Sequence, residues 1–387
     1  MKVLYYSQNS FSDVDLSLLS TLQKYADVYY VIPLRKGRLK GTAVNIQNQY
    51  NKTGIFKASV YPELAHFSRL IDLDKMFVVN CCAKAGFSLR HIYVNIMLFK
   101  FIFSQRFDII HLTMFPCYFE FPFYLFRKKV VLTVHDPLPQ DCDISYINHL
   151  YRKISFRLFS NFVILNKTQK KEFIEYYSLY NKKILESKLS TYTYLRMYRN
   201  DIAKNKINYI LFFGRITPYK GIDYLLRAMK IVHSYFPDVK LVIAGKGNFS
   251  FDISEYLELD YIEIRNQFLD DKELVLLIQN SLFVVCPYTD ATQSGVVMSA
   301  FAFDKPVVAT DVGGLPEMVV NNRFGLIVPP NDYDLLASSM IKLLDNSDLL
   351  HKLSDNIHKE YSNGEQSWDI ISKGLIDFYS SVMFDYK

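Results

Sequence analysis

Residues 208–245 read NYILFFGRITPYKGIDYLLRAMKIVHSYFPDVKLVIAG, and this stretch decides the fold. NYILFFG is an unbroken apolar run ending in glycine, the pattern of a strand buried on both faces. Beyond Gly221, the residues Leu225, Met229, Val232 and Phe236 recur at spacings of four, three and four, and Pro237 stops the run. That spacing is one face of a helix. LVIAG is a second buried strand, so the segment is a strand–helix–strand unit of a parallel sheet.

The alternation continues on both sides. KELVLLIQNS (272–281) predicts a helix, LFVVCPY (282–288) a strand, Gly295 opens a short helix, PVVAT (306–310) and GLIV (325–328) are strands, and a helix starts at Asp332. Upstream, VLYY (3–6) and DVYYVIPL (27–34) bracket a helical pattern at Val14, Leu16, Leu18, Leu19 and Leu22. Further apolar runs occupy 107–112, 129–134 and 161–165, the last leading into the charged helix KTQKKEFIEYY. Two helix candidates rich in aromatics span Tyr93–Phe103 and Tyr118–Lys129. A chain of 387 residues is too long for one core, and the pattern predicts two doubly wound α/β domains. Residues 187–206 lack periodicity and read as the connection. The expected limits are 1–195, 196–365 and a terminal helix over 366–387 that packs back on the first domain.

Half of the residues are apolar, 22% are charged, and mean hydropathy is +0.03. These values fit a packed globular protein and exclude a disordered one. The five cysteines, Cys81, Cys82, Cys117, Cys142 and Cys286, have no paired metal-ligand spacing and read as reduced thiols. The start, MKVLYYSQNSFSD, reads as a first strand rather than a signal peptide, and no apolar run reaches the ~20 residues of a spanning helix. A cytoplasmic protein is expected. Charge is uneven: residues 1–200 hold 28 Lys and Arg against 14 Asp and Glu, a net of +14, while 201–387 hold 17 against 25, a net of −8. The asymmetry predicts an anionic partner for the first half, with nucleic acid and a membrane surface both open. A solvated basic face gives the same numbers.

Three stretches carry chemistry. In Gly214–Gly221 (GRITPYKG) the glycines permit close approach of backbone to ligand. Arg215 offers a fork of donors and Lys220 a point charge at a helix start, a combination suited to a diphosphate. A surface turn with two solvated cations has the same sequence. LVIAGKG ends in Gly245-Lys246-Gly247, an incomplete dinucleotide fingerprint, since Ser250 stands where a third glycine is needed. Residues 290–297, Asp290, Ala291, Thr292, Gln293, Ser294, Gly295, Val296 and Val297, put small and hydroxylated residues before a helix, a nest of amides for phosphate or sugar hydroxyls. Gly313-Gly314 and Glu317 follow after PVVAT. In the first half, His135-Asp136-Pro137 lies at the carboxyl end of a buried strand, where ligands bind in such sheets. His111, ending the run DIIHL, is the weaker candidate and reads as structural.

FFGRITPYKGIDYLL, LVIAGKG, PYTDATQSGVV, KPVVATDVGGLPEMV and FGLIVPP stand in the order and spacing of glycosyltransferase family 4, which the chain resembles over about residues 208–370; Ser367-Trp368 resembles the family's closing motif. The likeness is to bacterial polysaccharide-biosynthesis members with an ATQSG variant of the donor motif. It implies a GT-B fold, two Rossmann-like domains facing across a cleft with acceptor bound by the first and donor by the second. It also implies anomeric retention, a nucleoside-diphosphate sugar as substrate, no cofactor and no required metal. Arg215 and Lys220 would hold the diphosphate, and His135 would bond the transferring sugar or the acceptor. Gly214, Gly221, Gly245, Gly247, Asp290, Thr292, Gln293, Ser294, Gly295, Val296 and Glu317 would line the donor site.

The chain departs from the family in two places. The two glutamates separated by seven residues in many members fall on Ser299 and near Ala291, so hydroxyls and amides are expected to replace them. The glycine-rich loop after the first strand is replaced by Ser7-Gln8-Asn9-Ser10. The acceptor is expected to be a glycan or a polyprenyl-linked oligosaccharide. Basic residues from Arg35 to Lys40 beside the two aromatic helix candidates predict docking on an anionic inner leaflet, and the phosphate motifs in the acidic half argue against nucleic acid. Two other readings stay open: a sugar-nucleotide or glycan binder with weak catalysis, and a nicotinamide-dependent oxidoreductase.

Overall fold

The computed structural model describes residues 1–35, 41–47, 51–83, 88–117, 120–135, 146–165, 170–200, 208–291 and 294–386, with 146–148 by backbone alone. The chain forms two compact units. The first comprises Met1–Leu189 with Trp368–Lys387, the second Ser190–Ser367.

In the first unit the elements run β1 (Lys2–Tyr6), α1 (Ser12–Leu22), β2 (Asp27–Arg35), β3 (Gly54–Lys57), β4 (Met76–Cys81), α2 (Leu89–Gln105), β5 (Ile109–Leu112), α3 (Pro122–Leu125), β6 (Val130–Val134), α4 (Tyr146–Leu158), β7 (Asn161–Ile164), α5 (Lys170–Tyr177) and β8 (Lys183–Glu186). The sheet order is β3-β4-β2-β1-β5-β6-β7-β8, parallel except for β3, which runs antiparallel to β4 at the edge. The order reverses between β1 and β5. Central strands are apolar and buried throughout, as in β6, because helices cover both faces of a parallel sheet.

In the second unit follow β9 (Tyr209–Phe213), α6 (Ile222–Tyr235), β10 (Lys240–Ala244), α7 (Ser254–Leu257), β11 (Ile262–Arg265), α8 (Asp271–Asn280), β12 (Val284–Cys286), α9 (Gly295–Phe301), β13 (Val307–Thr310), α10 (Leu315–Val319), β14 (Gly325–Val328), α11 (Tyr333–Asp345) and α12 (Ser347–Ser362). Its six parallel strands lie in the order β11-β10-β9-β12-β13-β14. The switch point falls between β9 and β12. α13 (Trp368–Tyr386) belongs to the first unit, where the Tyr379 hydroxyl bonds the buried His111 ring and Lys183 pairs with Asp385 at 2.6 Å. His111 is thus a packing group under a helix, as its reading as structural anticipates.

Some expectations need adjusting. The unit limits lie at 189/190 and 367/368, not at 195/196 and 365/366. Residues 190–195 pack on the second unit, where the Tyr192 amide bonds the Met298 carbonyl at 3.2 Å and Ser190 Oγ bonds the Gln366 carbonyl at 2.5 Å. The helix expected over Tyr118–Lys129 shrinks to the single turn of α3 and a 3-10 turn at Arg127–Lys129; Tyr118 lies outside the described residues. Strands β3, β4, β8 and β11 were not anticipated.

Candidate functional site

The loops after β9 and β12 flank the switch point of the second sheet, the crevice where ligands of doubly wound folds bind. The first carries Gly214 to Gly221 and the second Pro287 to Gly295. They are tied together: the Thr289 amide bonds the Tyr219 carbonyl at 2.8 Å. Gly221 has a left-handed φ of 63°, and a Cβ there would run into the carbonyl oxygen of Pro287. Only glycine lets the two loops close on each other.

Lys220 is placed by this closure. Its Nζ sits 3.4 Å from the centroid of the Tyr288 ring and 5.0 Å from that of Tyr219. Tyr288 is fully buried; its hydroxyl lies 3.4 Å from Ser294 Oγ, and its carbonyl accepts from Thr310 Oγ1 at 2.6 Å. Burial pushes the Lys220 ammonium down to about 8, with the positive charge of Arg215 acting in the same direction. A cation held over an aromatic face and partly stripped of water is ready for an anion. Arg215 is exposed on the same loop.

The helices that start here lack side-chain caps. Gly221 has no side chain to cap α6, and Ser294 makes no cap bond to α9, its hydroxyl facing Tyr288 instead. By contrast Asp270, Asp332 and Asn346 cap α8, α11 and α12. The first amides of α6 and α9 are therefore left for a ligand or water. α9 has only seven residues, so the charge at the site rests on the two cations more than on that helix.

The other expected residues sort as follows. Asp290 is exposed and Val296 half-buried beside Gly295, whose α-carbon faces Tyr192; Thr292 and Gln293 lie outside the described residues. Glu317 is exposed in the first turn of α10, beyond the end of β13. Gly245 and Gly247 have an internal reason to be glycine. A Cβ on either would overlap the carbonyl of Gly214 or Ile216, where the two loops pair through Gly214 N–H to Ala244 O at 3.0 Å and Ile216 N–H to Lys246 O at 3.2 Å. They shape the Arg215 loop from behind. No helix opens at these glycines, the next being α7 at Ser254, so the dinucleotide geometry of strand, glycine turn and helix is absent. A cavity of about 360 Å³ in the same unit is lined by Arg196, Arg199, Asn280, Phe303, Lys305 and His358 and contains none of these residues.

His135 stands in the first unit, at the end of β6. Its ring stacks on Phe11 at 3.8 Å, and its Nε2 is buried without a hydrogen-bond partner among the described residues. Burial drives the imidazole down to about 4, so the ring is neutral near pH 7. Asn9 Nδ2, in the loop after β1, is likewise buried and unpartnered. Unsatisfied buried polar atoms are rare in folded proteins and mark groups awaiting a partner. Sequence reading missed Asn9, Tyr192, Tyr219 and Tyr288. Asn9 lay within the quoted SQNS loop, and Tyr288 ended the quoted strand, but no periodicity assigns an aromatic to a lysine. Asp136 and the segment 36–40 lie outside the described residues.

The fold is GT-B. Sucrose-phosphate synthase from Thermosynechococcus elongatus superposes with TM-score 0.66 at 14% identity over all of both chains. The Anabaena protein HepE, solved with UDP and with UDP-glucose, gives 0.66 at 16% over 98% of this chain and 100% of its own. A UDP-N-acetylglucosamine 2-epimerase shares the fold as well, at 0.61 and 15% over 98% and 96%.

Residues 197–360 match the family Glycosyl transferases group 1, so the chain carries a domain of that family. The match includes Arg215, Lys220 and the other residues from Gly214 to Glu317 expected at the donor site, and leaves out Tyr192. Among relatives, an uncharacterized glycosyltransferase of Methanocaldococcus jannaschii is 34% identical over 45% of each chain. The capsular polysaccharide biosynthesis glycosyltransferase CapM of Staphylococcus aureus is 29% identical over 46% of this chain and 47% of its own. The chain thus spans less than half the length of these relatives.

Proposed function

We propose that the protein is a retaining glycosyltransferase of surface polysaccharide biosynthesis. It moves a sugar from a nucleoside-diphosphate sugar to a glycan or lipid-linked oligosaccharide at an anionic membrane surface. The observation that carries the reading is the pair Lys220 and Arg215 at the switch point, beside two helix starts without side-chain caps. In the transfer, the bond from the anomeric carbon to the diphosphate oxygen breaks and the acceptor oxygen bonds that carbon. The acceptor's hydroxyl proton leaves with the nucleoside diphosphate. Negative charge grows on the leaving diphosphate, and preorganised cations there lower the barrier most. Arg215 and Lys220 supply that charge without a metal. The second unit is the donor domain and the first the acceptor domain, with His135 and Asn9 as neutral hydrogen-bonding groups for hydroxyls.

The absence of the glutamate pair keeps a second reading alive, a sugar-nucleotide binder with weak catalysis. At the places in question stand Ser299, buried inside α9, and Ala291. Thermal shift against UDP- and GDP-sugars, followed by nucleotide release with and without acceptor extracts, separates the two. UDP-sugars come first, because HepE was solved with UDP and UDP-glucose. Acceptor-dependent release supports the transferase; a donor-induced shift with no release under any condition selects the binder.

A further inference from the structure

α2 is apolar on all sides, yet only one side is covered. His91, Val94, Leu98 and Ile102 face the core. On a helical wheel, Phe99, Ile92, Phe103, Ile96, Leu89 and Tyr93 span an arc of about 120° on the opposite side, interrupted only by Lys100, and all six are exposed, Leu89 at 84% and Phe103 at 68%. A helix that is hydrophobic all round is normally buried all round. The stripe extends onto α3. The Phe121 amide bonds Asn95 Oδ1 at 3.1 Å, Phe126 lies 5.8 Å from Phe99 between centroids, and Phe121 and Leu125 are exposed, Leu125 at 70%.

The rim of this patch has one sign. Arg90, Lys100, Arg106, Arg127 and Lys128 are exposed on or beside it. The carboxylates between Ser88 and Lys129 are Asp108, half-buried and accepting the Lys2 amide, and Glu120, buried against Arg35 and Tyr6. At 17 residues α2 is about 25 Å long, and no described helix is long and apolar enough to cross a membrane.

We infer that α2 with α3 is the surface by which the protein lies on an anionic lipid leaflet, apolar stripe among the acyl chains and cations among the headgroups. This rests on the membrane-associated reading above and gives it an address. Charge selects lipid over a second copy of the chain. A two-fold contact sets each residue of a patch against the same patch of its partner, which would oppose these cations to their own equivalents. An anionic leaflet neutralises them, at roughly fivefold in affinity per cation.

The test is co-sedimentation of the full chain with vesicles of phosphatidylcholine alone or doped with phosphatidylglycerol, at low and high salt. The wild type should bind the anionic vesicles and release in salt. Ile96→Glu with Phe103→Glu should lose at least about a hundredfold in partition, since each apolar side chain withdrawn from lipid is worth about tenfold. Lys100→Gln with Arg127→Gln and Lys128→Gln should lose about fivefold per charge. An unchanged donor-induced thermal shift certifies that each variant is folded. Full binding by the glutamate variant overturns this face while leaving membrane association standing. Absence of wild-type binding to anionic vesicles overturns both. A wild-type dimer that the glutamate variant converts to monomer reassigns the face to self-association and overturns the lipid inference.

Discussion

At the carboxyl ends of β9 and β12 the second unit presents two cations and two helix starts without side-chain caps; the rim of the first sheet, after β1, β5 and β6, presents Ser7, Asn9, Thr113 and His135. Both sheets are doubly wound, and both place their loops at a switch point. The chemistry differs because the loops differ. In the first unit the Thr113 hydroxyl donates to Ser7 Oγ at 2.5 Å, and Thr42 Oγ1 accepts from the Asp13 amide at the start of α1 at 3.1 Å. What remains without a partner there among the described residues is neutral, Asn9 Nδ2 and His135 Nε2. In the second unit the loop carries two cations, Arg215 and Lys220, beside the buried Thr217 Oγ1, which has no hydrogen-bond partner among the described residues. On the proposed reading, one architecture gives an anion site in the second unit and a hydroxyl-binding rim in the first, and local loop residues decide which. Bulk charge would have chosen the opposite, since the proposed anion site lies in the half with net −8. Screening over about 8–10 Å lets two nearby cations outweigh a distant excess of carboxylates.

The largest break in this comparison comes from the cations. Lys220→Ala and Arg215→Ala are each expected to lower turnover about 10²–10³-fold, the cost of removing one preorganised group that stabilises developing charge. Steady-state nucleotide release measures it. The fold should survive, because Arg215 is exposed and Lys220 makes no ion pair with a described residue. Near-normal rates in either variant would end the assignment of this crevice as the donor site.

A smaller effect is expected from the neutral rim. His135→Ala should reduce acceptor-dependent turnover about tenfold, since one neutral hydrogen bond is worth about 0.5–1.5 kcal/mol, with donor affinity unchanged. His135→Asn, which keeps a neutral donor, should recover part of the loss. The wild-type rate should show no inflection from this ring between pH 5 and 8, as burial already holds it at about 4. An inflection near pH 6.5 that vanishes in His135→Ala would mean that the ring titrates in the working enzyme, contrary to the neutral role.

The second unit was the more legible in sequence, and the reason is physical. Its strands are short, unbroken and bounded by Gly214, Gly245 and Pro306, and α6 repeats apolar residues with a clean helical period, so NYILFFG, LVIAG and PVVAT could be placed to within a residue or two. In the first unit β4 (MFVVNC) follows a 3-10 turn at Leu73–Lys75 and pairs with an antiparallel edge strand, an arrangement set by tertiary contact that no periodicity announces. The site divided in the same way. Arg215 and Lys220 were visible as charges beside glycines. The stacking of Lys220 on Tyr288, the unpartnered Nδ2 of Asn9 and the exposure of the outer face of α2 are facts of packing, and a string of residues does not contain them.

The smallest effect sharpens the comparison through protons. Lys220 is held at about 8, below its ordinary value, because burial disfavours the ammonium. A bound diphosphate favours the charged form, so its pKa is higher in the complex than in the free protein, and binding takes up a proton wherever Lys220 has begun to lose it. Donor affinity should therefore be nearly constant below pH 7 and fall as pH rises through 8, by about fourfold between pH 7 and 8.5, as the protonated fraction of a group with pKa near 8 requires. His135, neutral throughout that range, contributes nothing to the slope. Lys220→Arg keeps its charge across the range and should flatten the curve. Calorimetric titration of UDP at pH 7, 8 and 8.5 into both proteins reads this directly. If the wild type holds its affinity to pH 8.5, Lys220 does not meet the phosphates, and the anion site rests on Arg215 and the helix amides alone.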